Sequence, residues 1–327
     1  MPHWSPERLA ARMPFLDARA RMTAQARAWL AGRGLREVET PCLVPAPGME
    51  VHLRGFRSDY RPLDGGAARP LWLRTSPEMA LKRLLAGGSG PVFEFARVWR
   101  NGEAGRTHAP EFTLLEWYRP GWTLEALMDE TEALVRALCP HPACAGPFRR
   151  ITCAEAFERW AGLDLLASIR PDGTGDPAAL GAKDGEGWED AFFRLLLDHV
   201  EPRMAEGAAT FLTHWPTPQA ALARRDPGDA RVALRFELYA GGMELANAFD
   251  ELTDEAEQRR RFAQDVAERL RLHGADEAWP ADEDFLRAVG AMPAGSGIAL
   301  GWDRLVMLAT GARRIEDVLW LGPFPYG

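Results

Sequence analysis

Acidic side chains at strand spacing carry the first chemical signal in this sequence. Residues 112–118 alternate as a strand, and a period of two puts Phe112, Leu114, Glu116 and Tyr118 on one face. A carboxylate and a phenol beside apolar groups are costly to bury unless something satisfies them, and a cationic amine would do so. The other reading is an exposed face with Glu116 and Tyr118 in water. Further on, residues 235–239 and 243–247 flank Gly241-Gly242, a good two-residue hairpin turn. That turn sets Ala246 opposite Glu237 and Tyr239 opposite Glu244, so Glu237 and Glu244 become diagonal neighbours. Like charges so placed are destabilising unless a cation lies between them. Two carboxylates plus substrate phosphates are a common Mg²⁺ set; otherwise both glutamates are solvated. Glu78 and Glu251 complete the acidic group. Arg100, at the end of a strand, and Arg304, at the start of a helix, suit carboxylate or phosphate. Either arginine serves equally well as a structural surface residue.

Other chemical signals are weaker. Cys139-Pro-His141-Pro-Ala-Cys144 followed by Cys153 is a possible metal cluster, and Cys42 stands apart. Two prolines stiffen the loop and no C-x-x-C pair occurs, which favours incidental thiols. No phosphate-binding G-x-x-x-x-G-K-[ST], no G-x-G-x-x-G after a strand and no H-E-x-x-H is present. A nucleotide would have to be held in another way.

Composition narrows the classes. The 327 residues are 46% hydrophobic, enough for a sizeable core. Lys+Arg number 39 against 47 Asp+Glu, a net charge of −8, which argues against nucleic acid as the main partner. No charge-free run long enough to span a membrane occurs, and the N-terminus shows no signal pattern, so a cytoplasmic protein is expected.

The elements that must position these residues follow from periodicity. Residues 15–34 read as an amphipathic helix, with an extended, proline-punctuated stretch over 37–45 and a loop over 60–70. Thr75-Ser76-Pro77-Glu78 starts a helix that buries Met79, Leu81, Leu84 and Leu85. Strands at 92–99 and 112–118 flank the polar loop 101–111, and a loop of that length between strands suggests function. Helices follow at 124–138 and 253–272, and the small-residue strand 296–301 leads into a helix at Asp303-Arg304. Residues 140–230 show short helical patterns and loops without a chemical signal. The order of elements predicts an α+β fold with a mainly antiparallel sheet flanked by helices.

Three of these segments resemble a known family. Phe95-Ala-Arg-Val-Trp-Arg100-Asn-Gly-Glu-Ala-Gly-Arg-Thr-His108-Ala-Pro110-Glu111-Phe112-Thr-Leu-Leu-Glu116-Trp-Tyr118 closely resembles motif 2 of class II aminoacyl-tRNA synthetases, lysyl branch. Gly297-Ile-Ala-Leu-Gly-Trp-Asp-Arg304-Leu resembles motif 3, and Val38-Glu39-Thr40-Pro41 resembles motif 1, which carries the dimer interface in that family. Thr75-Ser-Pro-Glu78 and Met243-Glu-Leu-Ala-Asn-Ala-Phe-Asp-Glu251-Leu also match lysyl-branch segments. The resemblance implies one catalytic domain over residues 1–327. Motif 1 then falls at about 29–45, motif 2 at about 92–120 and motif 3 at about 295–312.

Motif 1 falls within the first forty-odd residues, so the anticodon-binding barrel of a lysyl-tRNA synthetase is expected to be missing. A free-standing core of this kind is similar to ligases that activate (R)-β-lysine with ATP and transfer it to a lysine of elongation factor P, without tRNA. Ser76 stands where lysyl-tRNA synthetases usually have Ala, and Ala299 where they usually have Gly. The resemblance implies that Arg100 binds the α-phosphate and the substrate carboxylate, that Phe112 stacks on adenine and that Arg304 stacks and pairs with the γ-phosphate. Arg100 and Arg304 are thus the catalytic pair. Asn101, Gly102, Glu103, His108, Glu244, Leu245 and Asn247 complete the ATP side, and Glu237 and Glu244 hold Mg²⁺. Ser76, Pro77, Glu78, Glu116, Tyr118, Glu251 and Ala299 line the amino-acid pocket. A homodimer is implied as well.

Two departures stand out. The family usually reads Arg-Asn-Glu where this chain has Arg100-Asn101-Gly102-Glu103, and His-Asn-Pro-Glu-Phe where it has His108-Ala109-Pro110-Glu111-Phe112. They leave room for two other readings, a catalytically silent amino-acid-binding or regulatory protein and a truncated lysyl-tRNA ligase.

Overall fold

A computed structural model describes residues 4–322. Its first elements are α1 (Pro6–Ala31), β1 (Arg36–Glu37), β2 (Leu43–Val44), β3 (Phe56–Tyr60), β4 (Arg69–Leu73), α2 (Glu78–Ala86), β5 (Val92–Trp99) and β6 (Glu111–Pro120). Next come α3 (Leu124–Leu138), β7 (Arg149–Thr152), α4 (Cys153–Ala161), α5 (Trp188–Leu195), α6 (Glu201–Met204) and β8 (Thr210–Pro216). The chain continues with β9 (Val232–Ala240), β10 (Met243–Asp250), α7 (Glu255–His273), α8 (Glu283–Ala291), β11 (Gly295–Gly301) and α9 (Trp302–Thr310). The fold is α+β, with strands mainly antiparallel and flanked by helices. Two compact units divide the chain, one of Met1–Pro120, Thr253–Pro293 and Leu300–Gly327, the other of Gly121–Leu252 and Ala294–Ala299.

In the first unit, β5 and β6 pair antiparallel without a break from Val92↔Tyr118 to Trp99↔Glu111, and β1 joins β5 in parallel. The helix expected from residue 15 begins at Pro6 instead. Ser5 caps it through Arg8 N–H and Pro6 occupies the first turn, where a missing N–H costs nothing. Pro14 lies inside the helix. Leu16, Met22, Ala26 and Leu30 form its buried stripe. The stretch 60–70 is only partly loop, since β3 and β4 pair across it and β2 adds to β4. In α2 the buried side is Met79, Leu81, Lys82 and Leu85, while Leu84 is exposed. Lys82 takes the inward place because Glu78 Oε1 accepts its ammonium at 2.5 Å.

In the second unit the strands run in the order β11, β10, β9, β8, β7, with β7 parallel to β8. Gly241 and Gly242 both have positive φ (57° and 76°), as the tight turn between β9 and β10 requires. The expected register holds at Glu244↔Tyr239 and then slips, so that Asn247, not Ala246, faces Glu237. A bulge at Leu245 is the cause, for one extra residue on β10 shifts every later partner by one. The region 140–230 supplies a core in which Phe192 stacks on Phe157 and Trp188, each at 5.1 Å between ring centres.

One buried network ties three elements of the first unit together. Asp303, on the first turn of α9, accepts from Thr113 N–H of β6 at 2.6 Å through Oδ2 and from the Arg19 guanidinium of α1 through Oδ1. Arg19 also donates to Thr113 Oγ1 at 3.0 Å. Removing one partner of such a buried pair typically costs about 3–5 kcal/mol, because the other charge stays buried. Asp303→Ala is therefore expected to lower the free energy of urea unfolding by about that amount. A loss under about 1 kcal/mol, the range of a surface pair, would contradict this role.

Candidate active site

In the first unit, Glu116 lies on β6 with no exposed surface, so the exposed-face reading of this strand is not the one the fold adopts. Ser76 Oγ donates to its Oε1 at 2.6 Å and Tyr118 OH to its Oε2 at 3.3 Å. Ser76 Oγ also accepts from Glu78 N–H at 3.0 Å, which fixes the Ser76-Pro77 turn at the start of α2. Burial, first, and the neighbouring Glu78 push the Glu116 carboxyl up to about 8, against the two hydroxyl hydrogen bonds. Burial likewise raises Glu78, opposed by Lys82 and helped by Glu50. Four of the expected pocket residues, Ser76, Glu78, Glu116 and Tyr118, are thus in one hydrogen-bonded group with Pro77 beside them. Such a group can receive a cationic amine.

The loop after β5 leaves through Arg100. Its N–H is held by Pro110 O at 3.0 Å and its guanidinium lies 5.1 Å from the Phe112 ring centre. Arg100 Nε is buried and, among the described residues, has no hydrogen-bond partner. Glu103 approaches Arg100 at 3.7 Å. Gly102 makes this possible with φ +85°, a left-handed turn that suits glycine, and Asn101 N–H is fixed by Arg54 O at 2.8 Å. At the far side of the loop, Arg304 Nη2 lies 2.6 Å from His108 Nε2 and its Nε donates to Thr107 O at 3.4 Å. Ala109 is buried. Two guanidiniums therefore bracket the polar loop, as an anion site needs.

The second unit carries the other acidic residues. Glu237 on β9 is buried, with Oε1 accepting from Arg235 at 2.6 Å and Oε2 from Tyr239 OH at 2.5 Å. Burial and then the charge of Glu244 push it up to about 7, against Arg235. The solvated reading of this glutamate therefore fails, and the expected proximity of the pair is present. Arg235 also donates to Asn247 Oδ1 at 3.1 Å, which links Asn247 to Glu237. Leu245 is buried at the bulge and Ala299 half-buried on β11. Glu251 is buried, and its N–H is held by Gly295 O at 2.9 Å.

Sequence reasoning missed three supporting groups. Arg74 donates to Glu94 Oε1 at 2.7 Å and to Thr40 Oγ1 at 2.6 Å, and Thr40 donates to Glu94 Oε2 at 2.7 Å. Glu94 faces Glu116 across the β5–β6 ladder, so this cation neutralises the nearest strand neighbour of Glu116. Lys82 and Asp303 are the other two. An arginine just before Thr75-Ser76 and a glutamate opposite Glu116 were the available signals. Among the described residues, no group of three or more His, Cys, Asp or Glu is placed to hold a metal, and no helix is long and apolar enough to cross a membrane.

Residues 8–325 match the class II tRNA synthetases (D, K and N). The chain is 40% identical over 320 residues to an elongation factor P–(R)-β-lysine ligase of Haemophilus influenzae (strain PittGG). That alignment covers 97% of this chain and 96% of the relative.

The raised Glu116 carboxyl has a stability consequence. In the unfolded chain it titrates near 4.3, and in the fold at about 8. The folded state therefore holds the extra proton between these values, and stability falls as pH rises through that window. Glu116→Gln is expected to flatten the fall, leaving the share that the raised Glu237 carboxyl contributes up to about pH 7. Denaturant unfolding against pH measures it. An unchanged slope in the variant would contradict the burial argument.

Proposed function

Because the chain belongs to the class II tRNA synthetase family (D, K and N), we propose that it activates (R)-β-lysine with ATP and transfers it to a lysine side chain of elongation factor P. The observation that carries this reading is 40% identity to such a ligase over nearly the full length of both chains. The protein is on this reading a ligase that forms an aminoacyl-adenylate and releases pyrophosphate and then AMP. We further propose that the whole chain serves as one catalytic domain, that it acts in the cytoplasm as a homodimer and that tRNA is not a substrate. The net charge of −8 favours the last point.

The roles proposed for single residues are those the family resemblance implies, and their surroundings fit them. Arg100, with a buried Nε that has no hydrogen-bond partner among the described residues, would bind the α-phosphate and the substrate carboxylate. Arg304 would pair with the γ-phosphate, and Phe112, beside Arg100, would stack on adenine. Asn101, Gly102, Glu103, His108, Leu245 and Asn247 would line the nucleotide. Glu116 with Ser76 and Tyr118 would receive a substrate amine, next to Pro77 and Glu78. For Glu251 and Ala299 a role toward the amino acid is proposed from the family resemblance alone.

The pair Glu237 and Glu244 fits Mg²⁺. Burial and then the charge of Glu244 raise the Glu237 carboxyl, and a cation between the two would relieve that repulsion. Mg²⁺ needs only one or two carboxylates when phosphates supply the rest, and would neutralise phosphate charge there. The chain's own residues orient the reactants. The substrate carboxylate attacks the α-phosphorus, pyrophosphate leaves, and the acceptor lysine amine then displaces AMP from the carbonyl carbon. No protein nucleophile is needed, and catalysis is positioning and charge neutralisation.

The test is ATP–pyrophosphate exchange with (R)-β-lysine in the absence of tRNA. Exchange is expected in the wild type. Arg304→Ala should reduce it about 10²–10³-fold, the usual effect of losing one partner of developing charge. No exchange with any lysine isomer would favour a silent binding protein. Wild-type exchange in the variant would remove Arg304 from the nucleotide site.

A further inference from the structure

Between β2 and β3 the chain runs irregularly over residues 46–55, within the first unit. Its carbonyls are nevertheless taken up one after another. Pro47 O accepts from Thr75 N–H at 3.2 Å and from Thr75 Oγ1 at 2.9 Å, and Gly48 O accepts from the Trp279 indole N–H at 2.6 Å. Glu50 O and Leu53 O, at the two ends of a turn, both accept from the Arg269 guanidinium of α7, Leu53 O at 2.9 Å. His273 Nε2, at the end of α7, lies 3.0 Å from Val51 O. Arg269 has no exposed surface, and its guanidinium lies 3.8 Å from the Trp279 ring centre. A buried guanidinium is costly unless its donors are used, and a planar fork fixes two carbonyls at once where an ammonium would hold one. The exposed Arg54–Glu277 pair on the same segment contributes much less.

The two ends of the segment meet different parts of the site. At one end, Thr75 is the chain neighbour of Ser76. Gly48 is bordered so closely there that a β-carbon on it would lie 2.5 Å from Glu50 Oε2 and 2.6 Å from Thr75 Oγ1. At the other end, Arg54 O accepts from Asn101 N–H at 2.8 Å, directly after Arg100. We propose that Arg269, assisted by Trp279, is a positioning residue for both substrate sites. By fixing the 50–53 turn it sets Gly48 and Glu50 against the Ser76 end of the amine pocket and holds Arg54 O in place for Asn101 of the polar loop. The identity of the two substrates rests on the function proposed above; the coupling of turn and loop does not.

The experiment combines residue-resolved amide hydrogen exchange with ATP–pyrophosphate exchange in the full chain. Arg269→Lys keeps the charge and loses the fork; Trp279→Phe keeps a ring and loses the bond to Gly48 O. In Arg269→Lys the Asn101 amide is expected to exchange about tenfold faster, while the Arg100 amide, held by Pro110 O, keeps its rate. KM for ATP and for (R)-β-lysine should both rise about tenfold, with kcat changed by less than about threefold. Trp279→Phe, which decides the matter if the lysine variant does not fold, should speed the Thr75 amide and raise KM for the amino acid alone. Equal acceleration of the Arg100 and Asn101 amides would show a general loss of stability and overturn the proposal. Unchanged Asn101 and KM values in Arg269→Lys, or an unchanged Thr75 amide and KM in Trp279→Phe, would overturn it too. If the wild type shows no pyrophosphate exchange with any lysine isomer, the proposed function fails, and the amide rates alone decide whether Arg269 holds the loop.

Discussion

Asp303 shares one carboxylate between two partners distant in sequence, the arginine of a helix near the N-terminus and the backbone of the strand that carries Glu116. Because Thr113 is held at its N–H and at its hydroxyl, β6 cannot slide against α9 without leaving a buried charge unpaired. Phe112 and Arg304 are the chain neighbours of Thr113 and Asp303. The network therefore sets the base of the two groups proposed to meet the nucleotide. Arg304 then needs only a short reach to His108 and Thr107 to close over the polar loop.

A second constraint is the uneven pairing of buried carboxylates. Glu94 is met by Arg74, Glu78 by Lys82 and Glu237 by Arg235. Glu116 is held instead by two hydroxyls, which satisfy its oxygens without supplying positive charge. Burial then favours the protonated form. Such a group gains most from a ligand that brings its own cation. On the proposed function, this is where a substrate amine would be met, and Ser76, one of the two hydroxyls, would bear on substrate choice.

Much of this was legible in the residues. Strand alternation placed Glu116 and Tyr118 together, and Gly241-Gly242 gave the turn that brings Glu237 and Glu244 near one another. The bulge at Leu245 was not legible, since nothing in Glu244-Leu245-Ala246 distinguishes an extra residue from a paired one. Burial of β6 on both faces could not be read either, because Thr113 and Glu116 become tolerable inside only through Asp303 and Ser76, far away in sequence. The helix start at Pro6 was missed because the apolar side read from the sequence begins at Phe15, whereas the first turns are fixed by the cap at Ser5.

Substrate choice is where the proposed function meets this pocket. Moving an amine from the α to the β carbon displaces a charged donor by about one bond length, roughly 1.5 Å. A poorly paired buried donor costs on the order of 1–3 kcal/mol. Ser76 adds a hydroxyl where lysyl-tRNA synthetases usually have Ala, and Ala299 a methyl where they usually have Gly. The most direct measurement is kcat/KM in pyrophosphate exchange for (R)-β-lysine and for α-lysine, in the wild type and in Ser76→Ala with Ala299→Gly. The account predicts that the wild type prefers (R)-β-lysine and that the double variant shifts the ratio toward α-lysine by about tenfold, within the range that such mispairing supports. A wild type that prefers α-lysine, or a ratio that the double variant leaves unchanged, would contradict it.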